Sequence, residues 1–494
     1  MPVDPLPLDQ LQDFIQVFDI EAPHLTATSI DPEHGIGLRL TSVPRDPKTP
    51  ILTVPKELLL CSTNVEIASK SDKNLAAALD AVPQFSSAAR GRIMVFLALR
   101  MLEGARDAWS EYIRFLPTTV PVPTLWPEPA RHLLSGTSLY QPTEKKLYHL
   151  TQERTAFVEA VMELPWFSQH IHKLTLQDWI LNDALLRSRY IRLPEPIGDT
   201  MVPVLDFANH SHPSVARYDY DEFGDAVLVL NPDVEVKEGM EITIDYSGGE
   251  KSASEMLYTY GFIPKDEGED RGVETVRLFL ECQEDDPLGP AKRRVFNGEQ
   301  TVTLLSDGSW KSDWIWLTLL NAEDTLYFRV VATTTGERTL EVLFNKHPIT
   351  SFTAEDFVNP YLRPHPHFPI FQLRAVVLLL QKLEEHIEQM ERAENAAMRM
   401  FALGLVAEDI VATTGRLREL EGRIMMKARD KLEKQRDELL QDSTVVEYLR
   451  QMQGGDPETE ESTSNPGAAS GVPTAASTTE TEVQITETGE PDLS

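Results

Sequence analysis

Segments with strand patterns lie on both sides of a long stretch with helical patterns, and this interruption restricts the fold more than any other feature. Residues 34–60 contain two short runs of β-branched or apolar residues separated by a proline-rich turn, and strand patterns return at 201–246. Between them, about residues 71–190 space their apolar side chains as helices do. The sequence therefore predicts an α+β fold whose β-domain carries a mostly helical insert.

The chain beyond this region becomes increasingly helical and ends in a tail of different composition. Residues 267–355 mix strand-like and other segments, and from about 369 to 452 apolar residues form a broad stripe between charges, which predicts helices. Residues 453–494 contain no lysine, arginine or aromatic residue, so they cannot bury enough apolar surface to offset the entropy of ordering. We therefore expect a disordered acidic tail.

The charge and cysteine content exclude several classes of protein. The 494 residues carry a formal net charge of −32, which repels a phosphate backbone, disfavours direct nucleic-acid binding and attracts basic partners. The two cysteines, Cys61 and Cys282, cannot build a disulfide framework or a four-thiolate zinc site, so we expect the cytosol or the nucleus. No signal-peptide pattern opens the chain, and the longest strongly apolar stretch, 375–380, is too short to span a bilayer. No membrane association is expected.

Several short segments with chemically useful side chains follow one another in a suggestive order. Each is weak alone, because a Gly-x-Gly is usually a turn, an Asn-His pair is usually a loop and a tyrosine after a strand usually packs in the core or at its rim. The segments are His34-Gly35-Ile36-Gly37, Ser188-Arg189-Tyr190, Pro203-Val204-Leu205-Asp206-Phe207-Ala208-Asn209-His210-Ser211, Gly239-Met240-Glu241-Ile242-Thr243-Ile244-Asp245-Tyr246, and Tyr260-Gly261-Phe262.

Taken together, these segments resemble the SET domain, most closely that of the Rubisco large-subunit methyltransferase type. Proteins of that type read approximately G-x-G, then S-R-x-F, P-x-x-D-x-x-N-H-S and G-x-E-I-x-I-x-Y-G, and finally Y-G-F after a short helix. The resemblance implies a split SET domain over residues 22–265, a mostly helical substrate-binding domain over 266–452, and the tail from 453 to 494. It also implies a pseudoknot, in which the strand after the Asn-His segment threads through a preceding loop.

The resemblance implies a protein-lysine N-methyltransferase that uses S-adenosylmethionine. Ribosomal proteins or translation factors are the favoured substrates, and we expect a monomer that binds a basic protein. Only one cysteine follows Tyr246, so the cysteine-rich zinc cluster that often follows histone-type SET domains cannot form, which favours a non-histone substrate. The three His-x-His pairs are not followed by further ligands at a known spacing, so no metal is expected; they begin at His170, His210 and His365.

The same resemblance implies roles for individual residues. For the cofactor it implies His34, Gly35, Ile36, Asn209, His210, Tyr246 and Phe262, and for the substrate it implies Arg189 and Tyr260. The residue types suit these roles, because glycine lets a ligand approach the backbone, an asparagine amide both donates and accepts, and a phenyl ring offers a flat apolar face. Taken singly, three of them have simpler explanations: a loop histidine at 210, core packing at 262, and a helix-surface ion pair of Arg189 with Asp183 or nearby acids.

Tyr246 is the predicted catalytic residue. Methyl transfer is an in-line displacement on carbon, so the enzyme contributes mainly by holding a neutral amine opposite the leaving sulfur. A phenol oxygen near the reacting methyl favours its partial positive charge. An apolar channel lowers the pKa of the incoming lysine and frees its lone pair, so a dedicated side-chain base is not obligatory.

The sequence departs from the family pattern at the rim of the predicted site. Ser247 replaces the glycine after the tyrosine, and two extra residues lengthen the turn that precedes Lys251. The other departures are His34 for an acidic residue, Ile191 for the phenylalanine of S-R-x-F, and Ala253 for an asparagine. They leave open a SET-fold binding module with little or no turnover. The resemblance leaves open a second alternative, a protein-histidine methyltransferase, because members of the family also methylate histidine.

Overall fold

The computed structural model describes residues 4–31, 35–46, 48–104, 107–195, 197–246, 248, 250–264, 274–282, 285–332 and 338–453. The strands are β1 (Leu25–Asp31), β2 (Gly35–Leu40), β3 (Leu52–Val54), β4 (Leu60–Cys61), β5 (Tyr190–Leu193), β6 (Gly198–Met201), β7 (Asn209–His210), β8 (Ala216–Tyr220), β9 (Ala226–Leu230), β10 (Glu241–Ile244), β11 (Thr275–Phe279), β12 (Thr301–Leu305), β13 (Trp310–Lys311), β14 (Leu326–Ala332), β15 (Arg338–Phe344) and β16 (His347–Ile349).

The helices follow the same chain order. The α-helices are α1 (Leu11–Val17), α2 (Ser62–Ser69), α3 (Lys73–Ala81), α4 (Pro83–Ser86), α5 (Ala89–Glu103), α6 (Ala108–Tyr112), α7 (Glu128–Arg131), α8 (Tyr140–Val161), α9 (Phe167–His170), α10 (Leu176–Arg189), α11 (Ala253–Tyr260), α12 (Gly289–Val295), α13 (Trp314–Leu319), α14 (Phe368–Ala402), α15 (Glu408–Leu439) and α16 (Ser443–Gln453). Short 3₁₀ helices occupy Leu8–Gln10, Lys56–Leu58, Ile113–Phe115, Pro123–Leu125, His132–Leu134, Ile171–Lys173 and Leu205–Phe207, and a π-helix occupies Ala354–Leu362.

The predicted α+β class with a helical insert is confirmed, because α2–α10 all lie between strands β4 and β5. The described residues divide into two compact units. The first contains residues up to 276 together with 305–307 and 385–425, and the second contains 277–304, 308–384 and the residues from 426 onward. The domain bounds of 22–265 and 266–452 stay predictions. The expected disorder of the tail concerns residues that, from 454 to 494, lie outside the described part of the chain.

A four-stranded sheet in the order β1-β2-β10-β7 organises the first unit. Strand β2 pairs antiparallel with β1 and with β10, and β10 pairs parallel with the two-residue strand β7. Strand β2 does not alternate strictly between exposed and buried positions, and its Leu38 and Leu40 are buried in the core with Ile242 and Ile244 of β10. The short β7 strand is thereby held at a defined register beside residues more than thirty positions later.

Helix α5 is the central element of the insert. Every residue from Ile93 to Leu102 is buried, which is the pattern of a helix enclosed on all sides. Its Arg100 is only 5% exposed and forms ion pairs with Asp72, Glu103 and Asp107 at N···O distances of 2.9, 2.9 and 2.6 Å. A buried guanidinium is tolerated because these carboxylates surround it.

The ends of α14 and α15 that belong to the first unit pack against the loop before α8. The Glu421 carboxylate accepts hydrogen bonds from the Ser138 backbone N–H at 2.8 Å and from its hydroxyl at 2.5 Å. The Gly136 carbonyl accepts a 2.8 Å hydrogen bond from Nδ1 of His386. Gly136 has a φ of +83°, and a Cβ there would lie 2.5 Å from the Met390 nitrogen and also against the His386 carbonyl oxygen. Only glycine fits this contact.

Within the described residues, no helix combines the length and the apolar composition that a bilayer crossing requires.

Replacing Gly136 with alanine should destabilise the first unit by more than about 2 kcal/mol, because the methyl group would meet backbone atoms at a positive φ. Chemical denaturation followed by circular dichroism measures the change. Gly422→Ala is the matched control: Gly422 lies inside α15 with no atom near the added Cβ, so alanine should stabilise by roughly 0.5–1 kcal/mol. Equal stability of the two variants would contradict this packing.

Burial raises the pKa of Glu421 to about 7, and the charge of Glu274 contributes in the same direction, whereas the bonds from Ser138 oppose it. The folded state therefore holds the proton more tightly than the unfolded chain. The contribution of Glu421 to the free energy of unfolding should be complete below about pH 4.5 and should fall by about 3 kcal/mol as the pH rises to about 7. Glu421→Gln, which cannot ionise, should lack this part of the pH dependence when the two proteins are denatured across that range.

Candidate active site

Strand β10 brings two of the sequence segments together. The Cα of Thr243 is paired with that of Asn209, and Ile244 is paired with His210, so the Asn-His segment lies directly beside β10. The Asn209 side-chain amide donates a 2.8 Å hydrogen bond to Oε1 of Glu241 at the start of the same strand. The amide is thus oriented by a neighbouring carboxylate.

Strand β2 approaches this amide closely because it carries a glycine. A Cβ on Gly37 would lie 2.6 Å from Cγ1 of Ile30, 2.7 Å from Nδ2 of Asn209 and 3.0 Å from Oε1 of Glu241. Gly35 adopts a φ of +66°, where a side chain is strained, and Ile36 is half-buried between the two glycines. The fourth residue of this predicted segment, His34, lies outside the described residues.

Tyr246 follows β10 and is tied to the Asn-His strand by two hydrogen bonds. Its backbone N–H donates to Nδ1 of His210 at 3.0 Å, and its hydroxyl donates to the Ala208 carbonyl at 2.6 Å. Because Nδ1 accepts, the proton of a neutral His210 ring is on Nε2. Burial of the hydroxyl raises the pKa of Tyr246 to about 12; the Arg189 charge opposes this shift, and the Asp206 and Glu241 charges add to it. Tyr246 is therefore a neutral phenol at physiological pH.

Helix α11 delivers the last segment to the same place. The helix begins with a reciprocal capping box between Ser252 and Glu255 and ends at Gly261, whose φ is +88°. A Cβ on Gly261 would lie 2.8 Å from the backbone of Pro121, so this sharp helix end requires glycine. The turn lets the residues on either side of Gly261 face one group of rings.

These rings form what we call the aromatic cluster, which consists of His210, Tyr246, Tyr260 and Phe262. Ring centroids of Tyr246 and Tyr260 are 4.6 Å apart, and those of His210 and Tyr246 are 5.4 Å apart. Phe262 lies 6.0 to 6.5 Å from the other three rings. The Tyr260 hydroxyl donates to the Tyr246 carbonyl at 3.0 Å. Residues as far apart in the sequence as His210 and Phe262 therefore converge on Tyr246.

Arg189 takes part in this site through Asp206 of the Asn-His segment. Its Nη1 donates to the Asp206 carbonyl oxygen at 3.0 Å and to the carboxylate at 3.3 Å, and its guanidinium lies 5.6 Å from the Phe207 ring. The alternative ion pair with Asp183 is not the one formed. Asp183 is engaged instead by Arg90, Lys146 and Arg187. The buried Nε of Arg189 has no hydrogen-bond partner among the described residues.

The helical insert supplies a site residue that no sequence signal indicated. Tyr112, at the end of α6, is fully buried; its hydroxyl donates to the Asp206 carboxylate and accepts the Val204 N–H at 2.8 Å. Val204 has a φ of +69°, a strained conformation for a β-branched residue that this hydrogen bond holds. Burial raises the pKa of both Asp206 and Tyr112. The insert is thus part of the site.

Two more tyrosines border the aromatic cluster. Burial raises the pKa of Tyr260, and electrostatic repulsion from Tyr190, Tyr246, Tyr218 and Asp245 adds to the shift. Burial raises the pKa of Tyr218 in β8, and the Asp245 charge raises it further. Only the alternation of polar and apolar residues in β8, Ala216–Tyr220, could have indicated Tyr218 from the sequence. The arrangement combines neutral phenols, the carboxylates of Asp206, Glu241 and Asp245, and the apolar ring of Phe262.

The wider relationships of the chain agree with this geometry. A protein named SET domain-containing protein 8 from Schizosaccharomyces pombe is 31% identical over 301 residues, which cover 59% of this chain and 67% of the relative. The chain belongs to the SET-domain methyltransferase family. The family model for cytochrome c lysine N-methyltransferase 1 also matches this SET protein, over residues 196–281, the part that contains Asn209, His210, Tyr246 and Phe262.

Solved structures confirm the predicted fold of this SET protein. A crystal structure of the SET domain of LSMT bound to lysine and AdoHcy aligns with a TM-score of 0.62 at 18% identity, covering 90% of this chain and 96% of the other. A structure of Rubisco LSMT bound to AdoMet also aligns with a TM-score of 0.62, at 19% identity, and covers 92% and 98% of the two chains. The fold is that of the Rubisco large-subunit methyltransferase type.

Gly37→Ala should weaken S-adenosylmethionine binding at least tenfold, or about 1.4 kcal/mol, because the added methyl group would displace the Asn209 amide. Isothermal titration calorimetry measures the affinity. Gly415→Ala is the matched control, since a Cβ there meets only the end of the Arg418 side chain at 3.9 Å in α15, and its affinity should equal that of the unmodified protein. An unchanged affinity of Gly37→Ala for S-adenosylmethionine would show that the cofactor does not bind beside the Asn209 amide.

Proposed function

We propose that this SET protein is a protein-lysine N-methyltransferase that uses S-adenosylmethionine and acts on a basic protein other than a histone. The observation that carries the proposal is the position of the Tyr246 hydroxyl, which is held on the Ala208 carbonyl beside Asn209, His210 and Tyr260. This arrangement places the Asn209 amide and the aromatic cluster side by side on neighbouring strand ends. The LSMT structures, one bound to lysine and AdoHcy, give the precedent for the two ligands.

The residues present suit S-adenosylmethionine. Gly37 lets strand β2 pack directly against the Asn209 amide, where a Cβ would clash, and His210 and Phe262 offer ring faces to a flat adenine. The implied contacts of His34, Gly35 and Ile36 with the cofactor remain part of the proposal. The cofactor would supply an electrophilic methyl group on a sulfonium. The protein would supply position, because Tyr246 and Tyr260 are locked by hydrogen bonds before any ligand enters.

A lysine ammonium would lose its proton on entering the aromatic cluster. Burial between rings disfavours the charged form and lowers the pKa of an incoming lysine, so the neutral amine becomes available. The neutral Tyr246 phenol presents an oxygen that can stabilise the partial positive charge of the methyl group during transfer. Arg189 and Asp206 would border both ligands, with Asp206 oriented by Tyr112.

The substrate class is proposed from charge and from the relatives. A net charge of −32 favours a basic partner, and the family model that matches residues 196–281 is named for cytochrome c lysine methylation. Ribosomal proteins and translation factors remain the favoured candidates, and cytochrome c joins them. We propose that the protein works as a monomer in the cytosol or nucleus, where its two buried, free cysteines stay reduced.

Replacing Tyr246 with phenylalanine should lower kcat at least about a hundredfold, about 2.7 kcal/mol, while the affinity for S-adenosylmethionine changes less than about threefold. The hydroxyl is lost but the ring remains in the aromatic cluster. Radiolabel transfer to a lysate measures turnover, and calorimetry measures binding. Tyr148→Phe is the control, because Tyr148 is 63% exposed on α8 and should leave both values unchanged.

The same assay separates the remaining alternatives. Cofactor binding without transfer to any protein of the lysate would identify a binding module. Mass spectrometry of the labelled proteins distinguishes methyl-lysine from methyl-histidine. A panel of purified cytochrome c, ribosomal proteins, translation factors and core histones then tests the substrate class; label on histones alone would contradict the proposal.

A further inference from the structure

One lysine of the protein already lies against the aromatic cluster. Lys251 is the residue before Ser252, which caps α11, and its Nζ lies 5.6 Å from the ring centroid of Tyr260. This is within the distance at which a cation interacts with an aromatic face. Lys251 is half-buried rather than extended into solvent. It belongs to the turn in which this chain departs from the family pattern.

The ring that Lys251 contacts is part of the proposed substrate channel. Tyr260 is packed 4.6 Å from Tyr246 and donates a hydrogen bond to the Tyr246 carbonyl. A substrate lysine would therefore meet the same tyrosine that Lys251 now contacts. The capping box holds the Ser252 backbone N–H and hydroxyl on the Glu255 carboxylate. Because Lys251 is joined to Ser252, its backbone is held next to the start of α11.

The surroundings of Lys251 favour the chemically reactive form of its amine. Burial lowers its pKa, and the Arg192 charge lowers it further, whereas the Glu255 carboxylate opposes both effects. An amine of lowered pKa spends more time neutral and carries a free lone pair. Tethering adds to this, because a group on the same chain reaches the site at a high effective concentration.

We propose that Lys251 is a site of intramolecular self-methylation, so that the protein modifies its own turn beside the active site. This rests on the proposed function. The neutral Lys251 amine would donate its lone pair to the methyl carbon, the carbon–sulfur bond would break, and its electron pair would remain on sulfur. The products are a methylammonium side chain and a neutral thioether, and the proton released when the amine became neutral passes to water.

Self-methylation would also change access for other substrates. The unmodified Lys251 would compete for the Tyr260 ring with the lysine of a substrate protein, since two amines cannot occupy the same position against one ring. Methylation adds bulk and apolar surface to Lys251 while it keeps the positive charge. Methylation of Lys251 would therefore change how readily a substrate lysine reaches the Tyr260 ring.

The test uses the full-length protein with S-adenosylmethionine and no other protein. Peptide mass spectrometry should find a methyl group on Lys251, and the fraction modified per unit time should stay constant when the protein is diluted, as an intramolecular step requires. Lys251→Arg should lose this modification and keep the charge. Lys237→Arg, at an exposed lysine in the loop before β10, is the matched control and should keep it. Tyr246→Phe should lose it.

Two results would overturn the proposal in distinguishable ways. Transfer to lysate proteins with no methyl group on Lys251, or a rate of Lys251 modification that grows with protein concentration, would reject intramolecular self-methylation while the enzyme activity stands. Absence of transfer to Lys251 and to every lysate protein would reject both this proposal and the proposed function.

Discussion

Strand β10 is hydrogen-bonded to β2 on one side and to β7 on the other, and the geometry of the site depends on this double pairing. The pairing with β2 is antiparallel and the pairing with β7 is parallel, so three segments that lie far apart in the chain share one register. A slip of one residue would turn every side chain of β10 to the opposite face. The Tyr246 hydroxyl could then no longer reach the Ala208 carbonyl, and the Asn209 amide would lose Glu241.

Buried polar groups reinforce this register. Tyr112 donates to Asp206, which also accepts from Arg189, so the helical insert, the end of α10 and the Asn-His segment meet at one carboxylate. Burial raises the pKa of Asp206, and the two partners offset part of that unfavourable effect. Such a network is stable only when all its members are present, because a buried polar group left without a partner costs about 1–3 kcal/mol. The helical insert therefore contributes two of the side chains that hold the Asp206 carboxylate in place, Tyr112 and Arg189.

The local features of the sequence predicted the elements and the segments well. The strand patterns at 201–246 predicted the region of β10, and the apolar spacing in 71–190 predicted the insert. The glycine of Tyr260-Gly261-Phe262 lies at a helix end with a positive φ. These features were readable because they depend on periodicity and on backbone conformations that few residues adopt. Tyr112 could not be found this way. It is one of two aromatic residues in the short helix α6, and only its contact with Asp206 distinguishes it.

The sequence by itself determined which residue types could form the site: glycines for close approach, the Asn-His pair, a tyrosine after a strand and an arginine at the end of a helix. Tertiary structure alone decided their partners. It paired Arg189 with Asp206 rather than Asp183, set Tyr246 on Ala208, and laid Lys251 against Tyr260. The reason is physical: residue chemistry and local periodicity act over a few positions, whereas hydrogen-bond partners of buried groups are set by which distant segments the sheet and core bring within about 3 Å.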